Sequence, residues 1–169
     1  MKRRLYLLRH AKSTWKDTCL PDHDRPLAGH GRRAAKMIAR HVRDYDVEPE
    51  LVLCSTARRA RETLDRIQPA LGAPTVLLEH DLYAASADAL LERLRRVPDT
   101  AASVMLIGHN PGLQDLALDL ARPAAKLSEL ATKFPTAALA TLEFRASSWQ
   151  ELGHETGEIV ALVRPRDLG

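Results

Sequence analysis

The feature that most constrains the fold of this chain is a regular alternation of short apolar runs with stretches of helical periodicity. Four apolar runs predict buried strands, at residues 5–8, 51–54, 75–78 and 103–107. Between these runs, apolar residues recur every third and fourth position, as on one face of an amphipathic helix. This alternation predicts an α/β fold, a three-layer α/β/α sandwich with helices on both faces of a mostly parallel sheet.

The predicted helices have recognisable ends as well as apolar faces. Serine and asparagine are favoured N-cap residues, proline is favoured at the first helical position, and glycine or proline ends a helix. On this basis we predict helices at residues 34–42 and 60–71, the second of which is stopped by Gly72. A third helix is capped by Ser86 and ended by Pro98. A fourth has Asn110 as N-cap and Pro111 at its first position.

The alternation weakens after residue 121, where two later strands are still predicted. Residues 138–144 and 158–163 form apolar runs on either side of a loop that contains Gly153 and Gly157. A hairpin of this kind adds an antiparallel edge to the sheet. No repeat, low-complexity tract or linker divides the sequence, so we expect a single domain over residues 1–169.

Composition argues against several classes of function. Aromatic residues make up only 4% of the chain, which disfavours a stacking surface for single-stranded nucleic acid. The formal net charge is +3, but the arginines are spread along the sequence, so we expect no nucleic-acid partner. No apolar stretch approaches the ~20 residues of a membrane span, and we expect no membrane association.

The amino terminus and the cysteines together favour a cytoplasmic location. The apolar run at residues 5–8 is too short for the core of a signal peptide. Cys19 and Cys54 lack the spacing of a zinc site or a redox motif, so we expect two free thiols.

Residues that can carry chemistry follow the ends of all four predicted parallel strands. The carboxyl ends of such strands meet at one edge of a sheet, where α/β folds bind their ligands. In strand order these residues are Arg9 and His10, Arg58 and Arg59, Glu79 and Asp81, and His109 and Asn110. If the strands are neighbours, the side chains share one pocket.

This set of residues predicts phosphoryl transfer without a metal. A neutral imidazole is a competent nucleophile at neutral pH, and guanidinium groups match phosphoryl oxygens in shape and charge. The helix beginning at Asn110 would add backbone N–H donors. His10, His109 and Asp81 could in principle ligate zinc or manganese, but no two histidines have helix-face ligand spacing and Arg9 repels cations. We therefore expect no metal and no cofactor.

Three segments, in chain order, resemble motifs of the histidine phosphatase superfamily, which has the phosphoglycerate-mutase-like fold. Arg9-His10-Ala11 resembles its Arg-His-Gly motif. Residues 54–63, Cys-Ser-Thr-Ala-Arg-Arg-Ala-Arg-Glu-Thr, resemble its Ser-Pro-x-x-Arg-Ala-x-Gln-Thr segment, which places the second arginine at Arg59. Residues 108–111, Gly-His-Asn-Pro, resemble the segment that carries its second histidine.

Further segments indicate a branch within that superfamily. Arg25-Pro-Leu27 followed by Gly31 resembles its Pro-Leu-Thr-x-x-Gly helix start. The short chain, the Asp-His-Asp-Arg-Pro-Leu stretch at 22–27 and the Asp-Leu-Tyr-Ala-Ala-Ser stretch at 81–86 resemble the small SixA-like branch of phosphohistidine phosphatases.

The resemblance implies a role for each matching residue. His10 would be the nucleophile, Arg9 and Arg59 would hold the phosphoryl oxygens, and His109 would hydrogen-bond the same group. Larger relatives supply a general acid after the third strand, which makes Glu79 and Asp81 the candidates here. The expected phosphate- or substrate-binding residues are Arg9, Arg59, His109, Asn110, Ser13 and Arg25. Two departures from the motifs are Ala11 in place of glycine and Thr56 in place of proline.

Several alternatives remain open at this point. The leading hypothesis is a metal-independent phosphatase acting on phosphohistidine in a protein, with small phosphate esters as alternative substrates. A non-catalytic module could instead bind a phosphorylated partner through Arg9, Arg59 and Asn110. Arg25 could pair with Asp22 or Asp24 rather than with a ligand. Neither the physiological substrate nor the oligomeric state follows from the sequence.

Overall fold

In a computed structural model, which describes residues 1–168, six strands form one sheet. The strands are β1 Lys2–Arg9, β2 Leu51–Ser55, β3 Thr75–Glu79, β4 Ser103–Gly108, β5 Leu139–Arg145 and β6 Gly157–Val163. They lie in the order β3-β2-β4-β1-β5-β6. The first four in this order pair in parallel, and β5 and β6 run antiparallel at one edge. The predicted mostly parallel sheet with an antiparallel edge is confirmed.

Helices cover both faces of the sheet. They are α1 Gly29–Asp44, α2 Arg58–Ile67, α3 Ala87–Arg95, α4 Gly112–Leu120 and α5 Ala125–Thr132. Because side chains alternate along a strand, Leu8 of β1 packs with α1 and α2, whereas Leu7 packs with α3, α4 and α5. The predicted three-layer sandwich is therefore confirmed. Within residues 1–168, no helix has both the length and the apolarity needed to cross a membrane.

Two predicted boundaries were wrong for identifiable reasons. Strand β1 begins at Lys2, before the apolar run at residues 5–8, because both Nη atoms of the buried Arg3 find acceptors within the protein. Its guanidinium donates to the backbone carbonyls of Asp99, Ala101 and Ser147. Helix α2 ends at Ile67 rather than at residue 71, because Pro69 lacks the N–H that would continue the helix.

The start of α4 and the whole of α5 also differ from expectation. Helix α4 begins at Gly112, so Pro111 is its N-cap and Asn110 lies one residue earlier. The Asn110 side chain still contributes, because its Oδ1 accepts from the backbone N–H of Gln114 at 3.2 Å. Helix α5 was not predicted, since Leu130 is its one buried residue and no apolar stripe marks it.

A close approach at Gly31 attaches α1 to the loop that follows β1. A Cβ at Gly31 would lie 2.1 Å from the carbonyl oxygen of Lys12, which is a severe overlap. The same carbonyl accepts the backbone N–H of Ala28 at 2.8 Å. Glycine at this position therefore lets the helix hold the residues just after Arg9 in place.

Candidate active site

Neighbouring strands bring the two candidate histidines together. In the parallel pair of β1 and β4, Arg9 lies opposite Gly108, so His10 and His109 each follow their strand at the same height. Their ring centroids are 5.1 Å apart. Both line a cavity of about 340 Å³, whose other lining residues are Arg9, Lys12, Ser13, Trp15, Arg25, Arg59, Asn110 and Thr136.

The His10 ring is held in one tautomer and is uncharged at neutral pH. Its Nδ1 lies 2.7 Å from the carbonyl oxygen of Ala11, so Nδ1–H donates and Nε2 keeps its lone pair. Burial lowers the pKa of His10 to about 3. The neutral Nε2 is thus available as a nucleophile.

Alanine replaces the motif's glycine at Ala11 without backbone strain. The residues with φ in the left-handed region do not include Ala11. Its buried methyl group packs into the core beside α1 and α2. The Ala11 N–H donates to Thr63 Oγ1 at 3.0 Å, and the Thr63 hydroxyl donates to the carbonyl of Arg59 at 2.7 Å. These bonds connect the segment that carries His10 to α2.

The hydrogen bonds of His109 indicate which nitrogen carries its proton. Its Nε2 is 2.8 Å from the hydroxyl oxygen of Ser55, which also accepts the Ala57 backbone N–H at 3.2 Å. The Ser55 hydroxyl is fully buried and has no other acceptor within residues 1–168, so it donates to Nε2, and the neutral ring carries its own proton on Nδ1. That buried Nδ1 has no hydrogen-bond partner within residues 1–168. Burial also lowers the pKa of His109 to about 4, so the ring acts as a neutral donor.

Arg9 and Asn110 share one backbone partner. Arg9 Nη1 donates to the carbonyl oxygen of Phe134 at 3.1 Å, and Asn110 Nδ2 donates to the same oxygen at 3.0 Å. Burial and the nearby charge of Arg59 lower the pKa of Arg9, which marks an electropositive site. Arg9 Nη2 is neither buried nor hydrogen-bonded within residues 1–168, so it is free to meet an anion, whereas Nε is buried without a partner.

Arg59, rather than its neighbour Arg58, reaches the cavity. Arg59 lies in the first turn of α2 and is 8% exposed, whereas Arg58 is exposed and pairs with Glu62 at 2.9 Å. The Arg59 guanidinium donates to Asp22 twice, to the carbonyl oxygen at 2.8 Å and to Oδ2 at 3.0 Å. Sequence spacing had selected Arg59, and the structure places it accordingly.

The Asp22 carboxylate is the centre of a small polar cluster. It accepts from the Tyr83 hydroxyl and from Arg25 Nη1, the latter at 2.8 Å, as well as from Arg59. The Tyr83 hydroxyl and the two arginines hold the pKa of Asp22 well below its usual range. Asp22 is therefore ionised throughout the physiological range.

Arg25 lines the cavity but also makes the ion pair that the sequence left as an alternative. Besides Asp22, its guanidinium donates to Ser13 Oγ and to the carbonyl oxygen of Thr14. All three of its nitrogens are thus engaged by the protein. The guanidinium also stacks on the ring of Trp15, with its central carbon 3.2 Å from the ring centroid.

Neither candidate general acid lines the cavity. Glu79 is held by Arg93 through two hydrogen bonds of 2.7 and 2.9 Å. Asp81 is exposed in the short 3₁₀ turn His80–Leu82. None of the cavity-lining residues is a carboxylate. Within residues 1–168, no group of three or more His, Cys, Asp or Glu side chains is arranged to hold a metal ion.

Several residues of the site were not predicted from the sequence. Ser55 directly follows the predicted strand at 51–54 and lies inside a quoted motif, so its position was an available signal. Tyr83 likewise lies in the quoted stretch at 81–86, but nothing there assigned it to the site. Trp15 and Thr136 lie on irregular segments that no periodicity or motif marked.

Comparison with known proteins identifies the family. The profile of the histidine phosphatase superfamily (branch 1) matches residues 5–83. A solved structure from Agrobacterium tumefaciens, assigned as phosphohistidine phosphatase SixA, is 31% identical, covers 96% of this chain and 98% of its own, and superposes with a TM-score of 0.81. The chain belongs to the histidine phosphatase superfamily.

Other similarities place this histidine phosphatase in the SixA-like branch. A structure from Nakamurella multipartitia, also assigned as phosphohistidine phosphatase SixA, is 28% identical with a TM-score of 0.86 and covers 98% of this chain and 97% of its own. An uncharacterized protein of Mycobacterium tuberculosis H37Rv is 36% identical over 163 residues, which cover 94% of this histidine phosphatase and 100% of the relative. The resemblance predicted from the sequence motifs is confirmed.

Proposed function

We propose that this chain is a metal-independent phosphohistidine phosphatase in which His10 carries the phosphoryl group from substrate to water. One observation carries the proposal: the cavity combines a neutral, buried imidazole with cationic guanidinium groups and has no carboxylate in its lining. Arginines supply the positive charge that a metal would otherwise provide. A cytoplasmic location, which suits two free thiols, is part of the same proposal.

The first step transfers the phosphoryl group to the enzyme. The lone pair on His10 Nε2 forms a bond to phosphorus while the phosphorus–nitrogen bond of the substrate breaks. The bonding pair returns to the substrate imidazole, which carries a proton on its other nitrogen and leaves neutral. Arg9, Arg59 and the Nδ1–H of His109 stabilise the charge on the phosphoryl oxygens.

Water completes the reaction in a second step. A water molecule in line with the new phosphorus–nitrogen bond attacks phosphorus, and the bonding pair returns to His10 Nε2. The attacking water loses a proton to solvent, and inorganic phosphate departs from the two arginines. His10 is then neutral again and ready for another cycle, because burial keeps its pKa at about 3.

The absence of a lining carboxylate favours a nitrogen leaving group over an oxygen one. An imidazole has a pKa near 6.5 and can bring its own proton, whereas an alkoxide needs an acid beside it. Asp22 is ionised and bound to arginines, and Glu79 is paired with Arg93. Phosphohistidine is therefore the preferred substrate, ahead of phosphate esters.

The test measures phosphate release from a phosphohistidine peptide and from a phosphosugar, with EDTA present throughout. The wild type is compared with His10→Ala and with His154→Ala, a control histidine that is exposed and lies outside the cavity. We expect release from the peptide to exceed release from the sugar, to persist in EDTA and in His154→Ala, and to be lost in His10→Ala. Activity that survives His10→Ala contradicts the proposed mechanism, and preference for the sugar contradicts the substrate assignment.

A further inference from the structure

Trp15 is placed unlike any other large apolar side chain of the chain. It is 67% exposed, yet it lines the catalytic cavity together with His10 and Arg59. The other tryptophan, Trp149, is fully buried in the core. The ring therefore presents most of its surface to solvent beside the cavity, where a bound substrate can reach it.

Arg25 holds the Trp15 ring from one side. The Arg25 guanidinium lies 3.2 Å from the ring centroid, and its nitrogens are engaged by Thr14, Asp22 and Ser13. A side chain fixed at all three nitrogens has little freedom, so it restricts the ring that stacks on it. The exposed area of Trp15 consequently belongs to the opposite face and the edges of the ring.

We propose that this open face of Trp15 stacks on the imidazole ring of the phosphohistidine substrate, which makes Trp15 the residue that recognises the leaving group. The inference rests on the proposed function and extends it, because it names the feature by which a phosphoimidazole differs from other phosphoryl donors. An imidazole is planar, so it stacks on the indole ring. In its protonated form it is also a cation, which the electron-rich face of tryptophan attracts.

The cavity around Trp15 is electropositive, but a phosphohistidine carries an anionic phosphoryl group beside its cationic ring, so the cavity attracts the substrate as a whole. The Asp22 carboxylate, 2.8 Å from Arg25 and 3.0 Å from Arg59, offsets part of the positive charge behind the indole. Lys12 also lines the cavity, but it is exposed, and its long side chain can keep the ammonium group in water. Protonation of the substrate ring is what prepares the phosphorus–nitrogen bond to break, so stacking favours the form that reacts.

The test compares two substrates that share the phosphorus–nitrogen bond and differ in the ring. Phosphoramidate releases ammonia, which offers nothing to stack, whereas a phosphohistidine peptide releases an imidazole. We expect Trp15→Ala to lower kcat/KM for the peptide about tenfold, the factor that corresponds to a cation–π contact of ~1.4 kcal/mol, and to change phosphoramidate hydrolysis less than about twofold. Trp15→Phe should recover most of the loss on the peptide.

Tyr45→Ala is the matched control. Tyr45 is 72% exposed and stacks on His41, away from the cavity, so its removal should leave both substrates unaffected. An equal loss on both substrates in Trp15→Ala, or a loss on neither, overturns the inference. Failure of the proposed function gives a different result, in which the wild type hydrolyses neither substrate or His10→Ala remains active.

Discussion

The guanidinium of Arg59 is held by Asp22 through both the backbone and the side chain of that residue. The Nη1 atom lies 2.8 Å from the Asp22 carbonyl oxygen, and the Nη2 atom lies 3.0 Å from the carboxylate. The contact orients the arginine, but it also offsets part of the positive charge that attracts a phosphoryl group. Asp22 thus limits the affinity of the site for anions while it fixes the geometry.

Replacing Asp22 with asparagine separates these two effects, because Asp22→Asn keeps the volume and an acceptor oxygen but removes the charge. We expect inorganic phosphate to inhibit the variant about threefold to tenfold more tightly than the wild type, since a unit negative charge near the arginines is gone. Inhibition constants for phosphate measure the change. Asp24→Asn is the control, since Asp24 lies two residues away, is exposed and contacts His23 at 3.5 Å. Weaker inhibition in Asp22→Asn would show that orientation outweighs charge.

Ser55 is expected to act through the tautomer of His109. In Ser55→Ala the His109 Nε2 loses its donor, so the proton no longer has to reside on Nδ1. We predict a decrease in kcat of about tenfold with a smaller change in KM, because the donor to the phosphoryl group matters most in the transition state. Nitrogen chemical shifts of His109 report the tautomer directly. Cys54→Ala, which empties a neighbouring buried position without touching His109, should preserve both kcat and the tautomer.

A substitution at Gly31 tests how α1 supports the loop that follows β1 and carries His10. The added Cβ of Gly31→Ala would lie 2.1 Å from the Lys12 carbonyl oxygen, so the helix and the loop must move apart. We expect a loss of about 1–3 kcal/mol in the free energy of unfolding, together with reduced activity. In Gly29→Ala the new methyl group meets only arginine side-chain ends at 3.5 Å or more, so this variant should keep wild-type stability and activity. Urea denaturation distinguishes the two outcomes.

The two buried histidines make stability depend on pH in a defined direction. The pKa of His10 is about 3 and that of His109 about 4 in the folded protein, against about 6.5 in an unfolded chain. As the pH falls, the unfolded chain therefore takes up protons before the folded protein does. The two histidines leave the free energy of unfolding unchanged above about pH 6.5 and lower it progressively as the pH falls from there toward 4. At pH 5 each histidine lowers the free energy of unfolding by about 2 kcal/mol.

Variants isolate this contribution from that of the carboxylates. Between pH 7 and pH 5, the free energy of unfolding of His10→Gln and of His109→Gln should each fall by about 2 kcal/mol less than that of the wild type. His154→Gln should not reduce the loss, because hydrogen bonding to Asp119 raises the pKa of that exposed histidine. Denaturant titrations at the two pH values measure the differences. Identical pH dependence in the wild type and in His10→Gln would contradict a neutral, buried His10.

Much of the sheet was predictable because apolar runs and helical stripes are local properties of the sequence. The strand that ends at Arg9 and the strand that His109 follows were recognised in this way, as was the antiparallel edge. The failures have equally local causes. Helix α5 buries only Leu130, and the amino-terminal half of β1 depends on Arg3, a charged residue whose burial is permitted by distant carbonyl groups.

The sequence by itself determined the fold class and the family. It also grouped Arg9, His10, Arg59 and His109 at one end of the sheet, because these residues lie at the end of a strand or the start of a helix and fall within recognisable motifs. Only the tertiary structure decided the partners that give them their properties. Contacts between residues far apart in the chain assigned the His109 tautomer to Ser55 and the orientation of Arg59 to Asp22. They also placed Trp15 at the cavity and Glu79 against Arg93. Such contacts depend on how loops close over the end of the sheet, and the periodicity of apolar residues contains no information about that closure.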